Sequence, residues 1–350
     1  PELQTALGDY LLQLGHLERA YQAFVTAVQA ESRAGDVPLK KLEDLAFIEA
    51  QLGDWRAEWG LDDANATWVS DGEKSIELAL HRLDTIEALT ALSDPSIAQV
   101  SARVNGERQA LRGSAWKRKA SLHARQLLQT RLAPREFDAV ARCMIEALAR
   151  SIEAYQLAEG HPGSAHFDVY RALNRLSLDA LTDWSSPASK EAALYLAQQC
   201  RQIATQRAEG SDEIWDALMP SDALLVERLI DGSLGRDDDV GQEAFDELVA
   251  TYVDTFSGVS IRPAALYQVV RHLEILSRFC DALYLVQFGD PALRLTADRL
   301  IELVRRIDPK HPVRSDRPEW RAYTGGPRRG PRRATTKKAA SGRSRKKEKP

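Results

Sequence analysis

The chain has 350 residues, 44% hydrophobic and 28% charged, enough for a sizeable core beneath a polar surface, arranged as two or three domains or one extended repeat array. Aromatics at 7% and long runs of Ala, Leu, Arg and Glu favour helix, and no apolar stretch approaches the roughly 18 residues of a membrane span. The net charge of −4 conceals a division: residues 327–350 hold eleven Lys/Arg against the single acid Glu348, so a strongly basic tail follows an acidic body.

The opening residues PELQTALGDY lack a basic start and an apolar run, so no signal peptide is expected and the cytoplasm is the expected compartment. They also begin the most specific local pattern. Leu7, Gly8, Leu11, Gly15, Ala20, Phe24 and Ala27 fall in register with the small, large and aromatic positions of a tetratricopeptide repeat (TPR), a helical hairpin of about 34 residues. Gly8 and Ala20 allow close helix approach, Phe24 fills the space beside Ala27, and Gly15 permits the turn. The usual Trp at the fourth position is absent, with Gln4 in its place, and Ser32 stands where a Pro normally closes the repeat.

A second copy starts near residue 39 with Leu45, Ala46 and Gly53, although Glu58 and Asp62 occupy the small and aromatic positions of its second helix. A third lies in ERQALRGSAWKRKA, carrying Gly113 and Trp116, and pairs with CMIEALARSIEAYQLAEGHPG through Ser151, Tyr155 and Ala158. FDVYRALNRLSLDAL opens a possible fourth. Later, Leu266, Val269, Val270, Leu273, Leu276, Cys280 and Leu283 form one face of a long helix with Pro263 near its start. A last helix opens at Pro291 and ends at Asp308-Pro309. Breaks are expected at Gly35–Pro38, Gly60–Asn65, Ser93–Pro95, Gly160–Gly163, Ser185–Ser189, Gly210–Asp212, Pro220–Ser221 and Gly232–Gly241. No period-2 alternation argues for a sheet.

The expected architecture is therefore all-α: a TPR-like α-solenoid of irregular helical hairpin repeats with a disordered basic C-terminal tail. N-terminal TPR-like hairpins occupy 1–160, a C-terminal helical region 161–310, and the tail 311–350. The alternative is a plain helical bundle in which the glycines are incidental.

Several blocks resemble a known family. ERQALRGSAWKRKASL and FDVYRALNRLSLDAL resemble segments of bacterial TPR proteins associated with CHAT-type protease effectors in defence or signalling. DEIWDALMPSDALLVERLIDGSL and LVATYVDTFSGVSIRPAALYQVVRHLEIL are similar to the sensor-type TPR module of such systems, related to the TRAF-binding region of ASK-type kinases. The resemblance covers scattered blocks of residues 100–305. Where that family opens its long helix with a Ser-Pro-Arg-Glu-Leu-like run, this chain has Ile261-Arg262-Pro263-Ala264-Ala265-Leu266, without the acid. The resemblance implies a regulatory sensor or scaffold working with a separate effector.

Catalytic signatures do not assemble. The phosphate-binding G-x-x-x-x-G-K-[ST] loop, the G-x-S-x-G elbow and H-E-x-x-H are all missing, so no enzyme activity is expected. Cys143, Cys200 and Cys280 lie in helical apolar contexts without zinc-like spacing, which reads as core thiols in a reducing compartment. His161, His166 and Asp168 lack a clear further ligand, and an interhelix loop with a helix cap is the simpler reading. The acidic run 236–243 fails the calcium-loop test, with Gln242 where Gly is needed and Leu248 where Glu is needed. No metal and no cofactor are expected.

Binding is the better use of such an array, whose first helices line a concave face. The inward positions are Glu2, Thr5, Asp9, Leu12 and Gln13 in the first copy, then Lys40, Glu43, Phe47, Ala50 and Gln51, then Glu107, Ala110, Ser114, Lys117 and Arg118. Asp9, Gln13, Phe47, Gln51, Ser114, Lys117 and Arg118 are the candidate ligand or partner contacts, joined by Asn174, polar in the middle of an apolar helix. With Asp9 and Thr5 in place of Lys and Asn, the first repeat does not suit a chaperone C-terminus. Lys117 and Arg118 beside Trp116 offer an anion pocket for a nucleotide-like ligand or acidic peptide; the plainer alternative is a solvated helix face over a buried Trp116.

The expected role is a non-catalytic scaffold or sensor that binds a protein or a small anionic ligand and regulates an effector. In the alternative reading, the tail anchors the protein on nucleic acid through Arg328, Arg329, Arg332, Arg333, Lys337 and Lys338. The tail has also the simpler use of keeping the chain soluble, or of folding back on the acidic body. No membrane association is expected.

Overall fold

The computed structural model describes residues 1–14, 16–34, 38–59, 67–91, 101–129, 132–182, 186–209, 211, 213–258, 263–287 and 289–311, all within one compact body. Among the described residues there are twelve α-helices and one short 3-10 turn, and no strand. The N-terminal helices are α1 Glu2–Gln13, α2 Leu17–Ala34, α3 Leu39–Trp59, α4 Trp68–Ala91, α5 Ser101–Gln129 and α6 Pro134–Glu159. They are followed by α7 Val169–Asp179, α8 Pro187–Ala208, α9 Ile214–Asp231, the 3-10 turn Ser233–Gly235, α10 Asp239–Gly258, α11 Pro263–Val286 and α12 Pro291–Ile307. None of the described helices is long and apolar enough to cross a membrane.

Consecutive helices pair as hairpins: α1 with α2, α3 with α4, α5 with α6, α8 with α9, and α11 with α12. The first three pairs approach on glycines. A Cβ on Gly8 would sit 2.5 Å from the Phe24 ring, and one on Gly113 would sit 2.9 Å from Tyr155. Gly53 and Gly72 meet backbone to backbone, since a Cβ on either would stand 2.7 or 2.8 Å from the other's carbonyl oxygen. Ser151 locks the α5–α6 contact by donating its hydroxyl to the Gly113 carbonyl at 2.7 Å. Small residues here let the helices pack closely enough to bury Phe24 and Tyr155, each such ring contributing about 2–3 kcal/mol by burial.

Two sequence expectations change. The second hairpin is longer than a standard repeat: α3 continues through Glu58 to Trp59, and its partner α4 begins only at Trp68. The small and apolar positions facing Gly53 are Gly72 and Ile76, which replace the degraded positions sought at Glu58 and Asp62; Asp62 lies outside the described residues. Pro220 does not end the helix as expected: it falls inside α9, which continues through it although its missing N–H leaves the Asp216 carbonyl without its i+4 donor.

Local signals set other ends. Asp168 accepts from the Arg171 backbone N–H at 3.1 Å and starts α7, which assigns it to the capping reading. Ser186 and Ser189 cap α8 reciprocally, with Pro187 in the first turn. Asp290 caps α12 ahead of Pro291, and Asp308 follows its last turn.

The core is a chain of clusters. Phe24, Leu45, Ile48 and Leu52 join α2 to α3. Ala46, Ile76, Leu83, Ala115 and Leu122 bind α3, α4 and α5. Val169, Leu173, Ala197, Cys200, Ala223 and Val226 unite α7, α8 and α9. Leu273, Leu276, Phe279 and Leu283 of α11 are buried, as are Leu300, Leu303 and Val304 of α12. Helix α11 also packs against α5, so the last hairpin returns to the N-terminal half of the body.

Candidate functional site

The positions singled out in α1, α3 and α5 differ in exposure. In α1, Glu2 and Asp9 are exposed, whereas Glu43, Ala50 and Gln51 of α3 are buried and Phe47 is half-buried. By α5 the surface is covered: Lys117 is only 6% exposed, and Ser114 and Arg118 are half-buried. Around Lys117 the cover includes Tyr155 of α6 and Asn174 of α7, and α11 also lies against α5. Lys117 therefore does not lie on a solvated helix face, while Arg118 keeps part of its surface exposed. Trp116 is half-buried between the Lys119 ammonium, 5.4 Å from its ring centre, and the Arg150 guanidinium, 4.9 Å from it.

Helical spacing puts Ser114, Lys117, Arg118, Ser121 and Arg125 on one face of α5. Lys117 donates to the Asn174 side-chain carbonyl at 2.7 Å and lies 5.8 Å from the centre of the Tyr155 ring. Asn174, 5% exposed, uses its amide to cap the Tyr170 carbonyl at 2.9 Å. Two residues singled out separately in the sequence thus meet. Arg118 donates to the Ser114 hydroxyl one turn back.

Burial pushes the Lys117 ammonium down to about 7; Arg118 adds to the depression, and Asp222 and Asp54 oppose it. On α9, burial pushes Asp222 up to about 6, although the Tyr252 hydroxyl donates to it at 2.5 Å and Lys117 favours its charge. At neutral pH this part of the interior therefore holds a lysine and a carboxyl group both poised near the change of charge.

Next to it lies a denser ionic layer. Asp54 of α3, 4% exposed, accepts from Arg271 of α11 at 2.7 and 3.1 Å and from the Ser121 hydroxyl at 3.3 Å. Arg278, one heptad beyond Arg271, donates to the same Ser121 hydroxyl at 2.6 Å. Arg125 is 1% exposed. Burial alone would raise the Asp54 carboxyl, but Arg271, Arg125, Arg278 and Arg118 together hold it well below the usual carboxylate range. Arg271 also reaches Glu274 at 3.4 Å, and Glu274 faces His311 at 3.0 Å.

Ion pairs elsewhere on α3 and α5 share this design. Glu43 receives Arg108 at 2.7 Å, and Arg108 also donates to Thr90 at 2.7 Å. Glu49 is held by two bonds from Arg82, at 2.9 and 2.7 Å. A separate open cavity of about 300 Å³ lies between α2, α3 and α4, lined by Tyr21, Glu49, Leu52, Asp71, Lys74, Ser75 and Leu78; none of the sequence-predicted contacts lines it.

The structure thus gathers Ser114, Lys117, Arg118 and Asn174 and leaves Asp9 apart on an exposed face. The side chain of Gln13 and the whole of Arg328, Arg329, Arg332, Arg333, Lys337 and Lys338 lie outside the described residues. Sequence reasoning missed Asp54, Arg125, Arg271 and Arg278. The available signal was Arg271, Glu274, Arg278 and Asp281 at three- and four-residue spacing along the apolar seam of α11.

Cys200 and Cys280 are buried and Cys143 is exposed. Burial pushes the Cys200 thiol up to about 12 and raises that of Cys280, so both remain protonated and poorly nucleophilic at neutral pH. Among the described residues, no group of three or more His, Cys, Asp and Glu side chains is placed to hold a metal ion. Comparisons with protein families, curated proteins and solved structures find no match to this chain.

Proposed function

We propose that the protein is a non-catalytic TPR-type scaffold and sensor. It binds a protein partner or a small anionic, nucleotide-like ligand at the inner face centred on α5 and passes that occupancy to an effector in bacterial signalling or defence. What supports this reading is the buried ionic layer in which α3, α5 and α11 meet through Asp54, Ser121, Arg271 and Arg278. Well-packed apolar side chains would stabilise such a junction as well or better, because buried charges carry a desolvation penalty of several kcal/mol each. Charges kept at the centre of a helical array suit a site where a charged ligand binds. Any shift of α11 against α5 there also bears on α3, which Arg271 holds through Asp54.

Hydrogen exchange of the full chain tests this reading, read with and without a panel of ATP, ADP and NAD at millimolar concentration. Joint protection of α3, α5 and α11 by at least one of these is the expected result. Unchanged exchange in all three helices across the panel removes the small-ligand arm. Stable association with a candidate effector that leaves α5 and α11 unchanged removes the relay.

A further inference from the structure

Helix α1 carries a stripe of large apolar side chains on its outer side. Leu3, Tyr10 and Leu14 are each more than half exposed, and Leu7 is 43% exposed. Leu14 follows the last helical residue with its backbone still in the helical region. Spacings of four, three and four residues put all four side chains on one side of the helix. Among the described residues, no other helix exposes more than two large apolar side chains. Single exposed apolar residues are ordinary on a protein surface, whereas a continuous stripe marks a contact face. The two charged side chains of α1, Glu2 and Asp9, fall off the stripe, and Gln4, Ala6 and Leu11 beside it carry no charge.

The second hairpin shows what such a face receives. In the register of the second repeat, Leu7, Tyr10 and Leu14 correspond to Leu45, Ile48 and Leu52 of α3. Those three are buried in one cluster with Phe24 of α2, and Tyr21, Val25 and Val28 of the same helix pack against it. Lys41, at the position of Leu3, pairs with Glu31 of α2. The stripe on α1 thus repeats the face on which α3 seats a neighbouring amphipathic helix.

We propose that this stripe is a homodimer interface, in which α1 packs antiparallel on α1 of a second copy of the chain. The choice of occupant follows from the spacing, because the stripe is symmetric about its midpoint between Gly8 and Asp9. A two-fold axis there sets Leu3 against the second copy's Leu14 and Leu7 against its Tyr10, so every apolar side chain meets another. The uncharged flanks bring no like charges together in the seam, as a self-pairing face requires. One helix from each copy makes a contact at the small end of specific interfaces, so the dimer is expected at micromolar protein concentration. The contact uses none of the residues of the α5 layer, so it stands or falls apart from the role proposed for them.

Sedimentation equilibrium of the full chain, from about 1 to about 200 μM in about 0.3 M NaCl, tests the interface; the salt screens attraction between the basic tail and the acidic body. Wild type is expected to pass from monomer to dimer over this range. Leu3→Glu and Leu14→Lys place charge at the ends of α1 where the helix dipole favours it, so the fold is expected to hold. Each is expected to raise the dissociation constant at least tenfold, because one substitution acts twice in a two-fold contact. An equimolar mixture of the two sets the new carboxylate against the new ammonium and keeps one leucine pair intact, so it is expected to associate more tightly than either variant alone. Should either variant lose helix content by circular dichroism, Leu7→Glu and Tyr10→Lys carry the same comparison, since they oppose each other across the axis. A wild-type monomer throughout the range overturns the proposal, as does assembly beyond the dimer. A dimer that the substitutions leave unweakened lies on another face, which also overturns it. Weakened variants whose mixture associates no more tightly than each alone overturn the antiparallel pairing.

Discussion

Asp54 and Arg271 are 217 positions apart in the chain, and the carboxylate oxygen of one lies 2.7 Å from a guanidinium nitrogen of the other. Neither side chain is more than one-tenth exposed. This pair ties the second hairpin to the last one in a place where water cannot screen it.

Removing one member leaves the other charged and desolvated. Asp54→Ala is expected to lower unfolding free energy by about 3–5 kcal/mol, and Asp54→Leu combined with Arg271→Met to recover part of that loss. Urea denaturation of the single and double variants checks it. A coupling energy below about 0.5 kcal/mol shows that the two residues act independently.

Close helix approach gives a second expectation. Gly113→Ala places a methyl 2.9 Å from the buried Tyr155 ring, and Gly53→Ala places one 2.5 Å from Ile76 and 2.7 Å from the Gly72 carbonyl oxygen. Alanine normally favours a helix interior over glycine by up to about 1 kcal/mol. Overpacking at both crossings outweighs that gain, so each variant is expected to be less stable by about 1–3 kcal/mol. A thermal midpoint at or above that of wild type for either shows that the crossing has room.

Acid sensitivity follows from His123 on α5. Burial, helped by Lys119, pushes its imidazole from 6.5 down to about 4, with the Glu73 carboxylate 3.6 Å away. The unfolded chain therefore takes up the proton first as pH falls. The stability contributed by the neutral ring is complete above pH 6.5 and is lost as pH falls towards 4. Between pH 7 and 5 the loss is about 2 kcal/mol. His123→Gln is expected to remove that part of the pH dependence, read from urea midpoints at the two pH values. An unchanged slope excludes His123 as its source.

Much of the fold was legible because helices leave a periodic trace. Pro263 and Pro291 marked the starts of α11 and α12, and Gly113, Ser151 and Tyr155 identified the α5–α6 pair. The partner of α3 was misplaced because its small and aromatic positions were sought at the offsets of a standard repeat, whereas α3 and α4 have 21 and 24 residues. The site was half legible. Lys117 stood out in a basic run beside Trp116 and Asn174 as a polar residue amid an apolar helix, and they touch. Arg271 and Arg278 did not stand out, since arginine and acid at helical spacing look the same on a wet face and on a buried one; only the return of α11 onto α5 separates the two.

The tail gives the last expectation. If Arg328, Arg329, Arg332, Arg333, Lys337 and Lys338 grip a phosphate backbone, binding to duplex DNA falls with salt at a log–log slope of about −0.9 per phosphate neutralised. Deleting 327–350 is expected to abolish that salt-sensitive binding while leaving the urea midpoint of the helical body unchanged. Retention of the slope after deletion assigns nucleic-acid contact to the body.

The seating of α11 on α5 also orders events at the ribosome. Synthesis delivers Lys117 and Arg125 about 150 residues before Arg271 and Arg278, while the early hairpins need only neighbours to fold. Until the final hairpin leaves the exit tunnel, the charged stripe of α5 remains hydrated and Asp54 has no Arg271 to receive it. Burial of the ionic layer therefore has to wait for the last hairpin, since Arg271 must be made before Asp54 can pair with it.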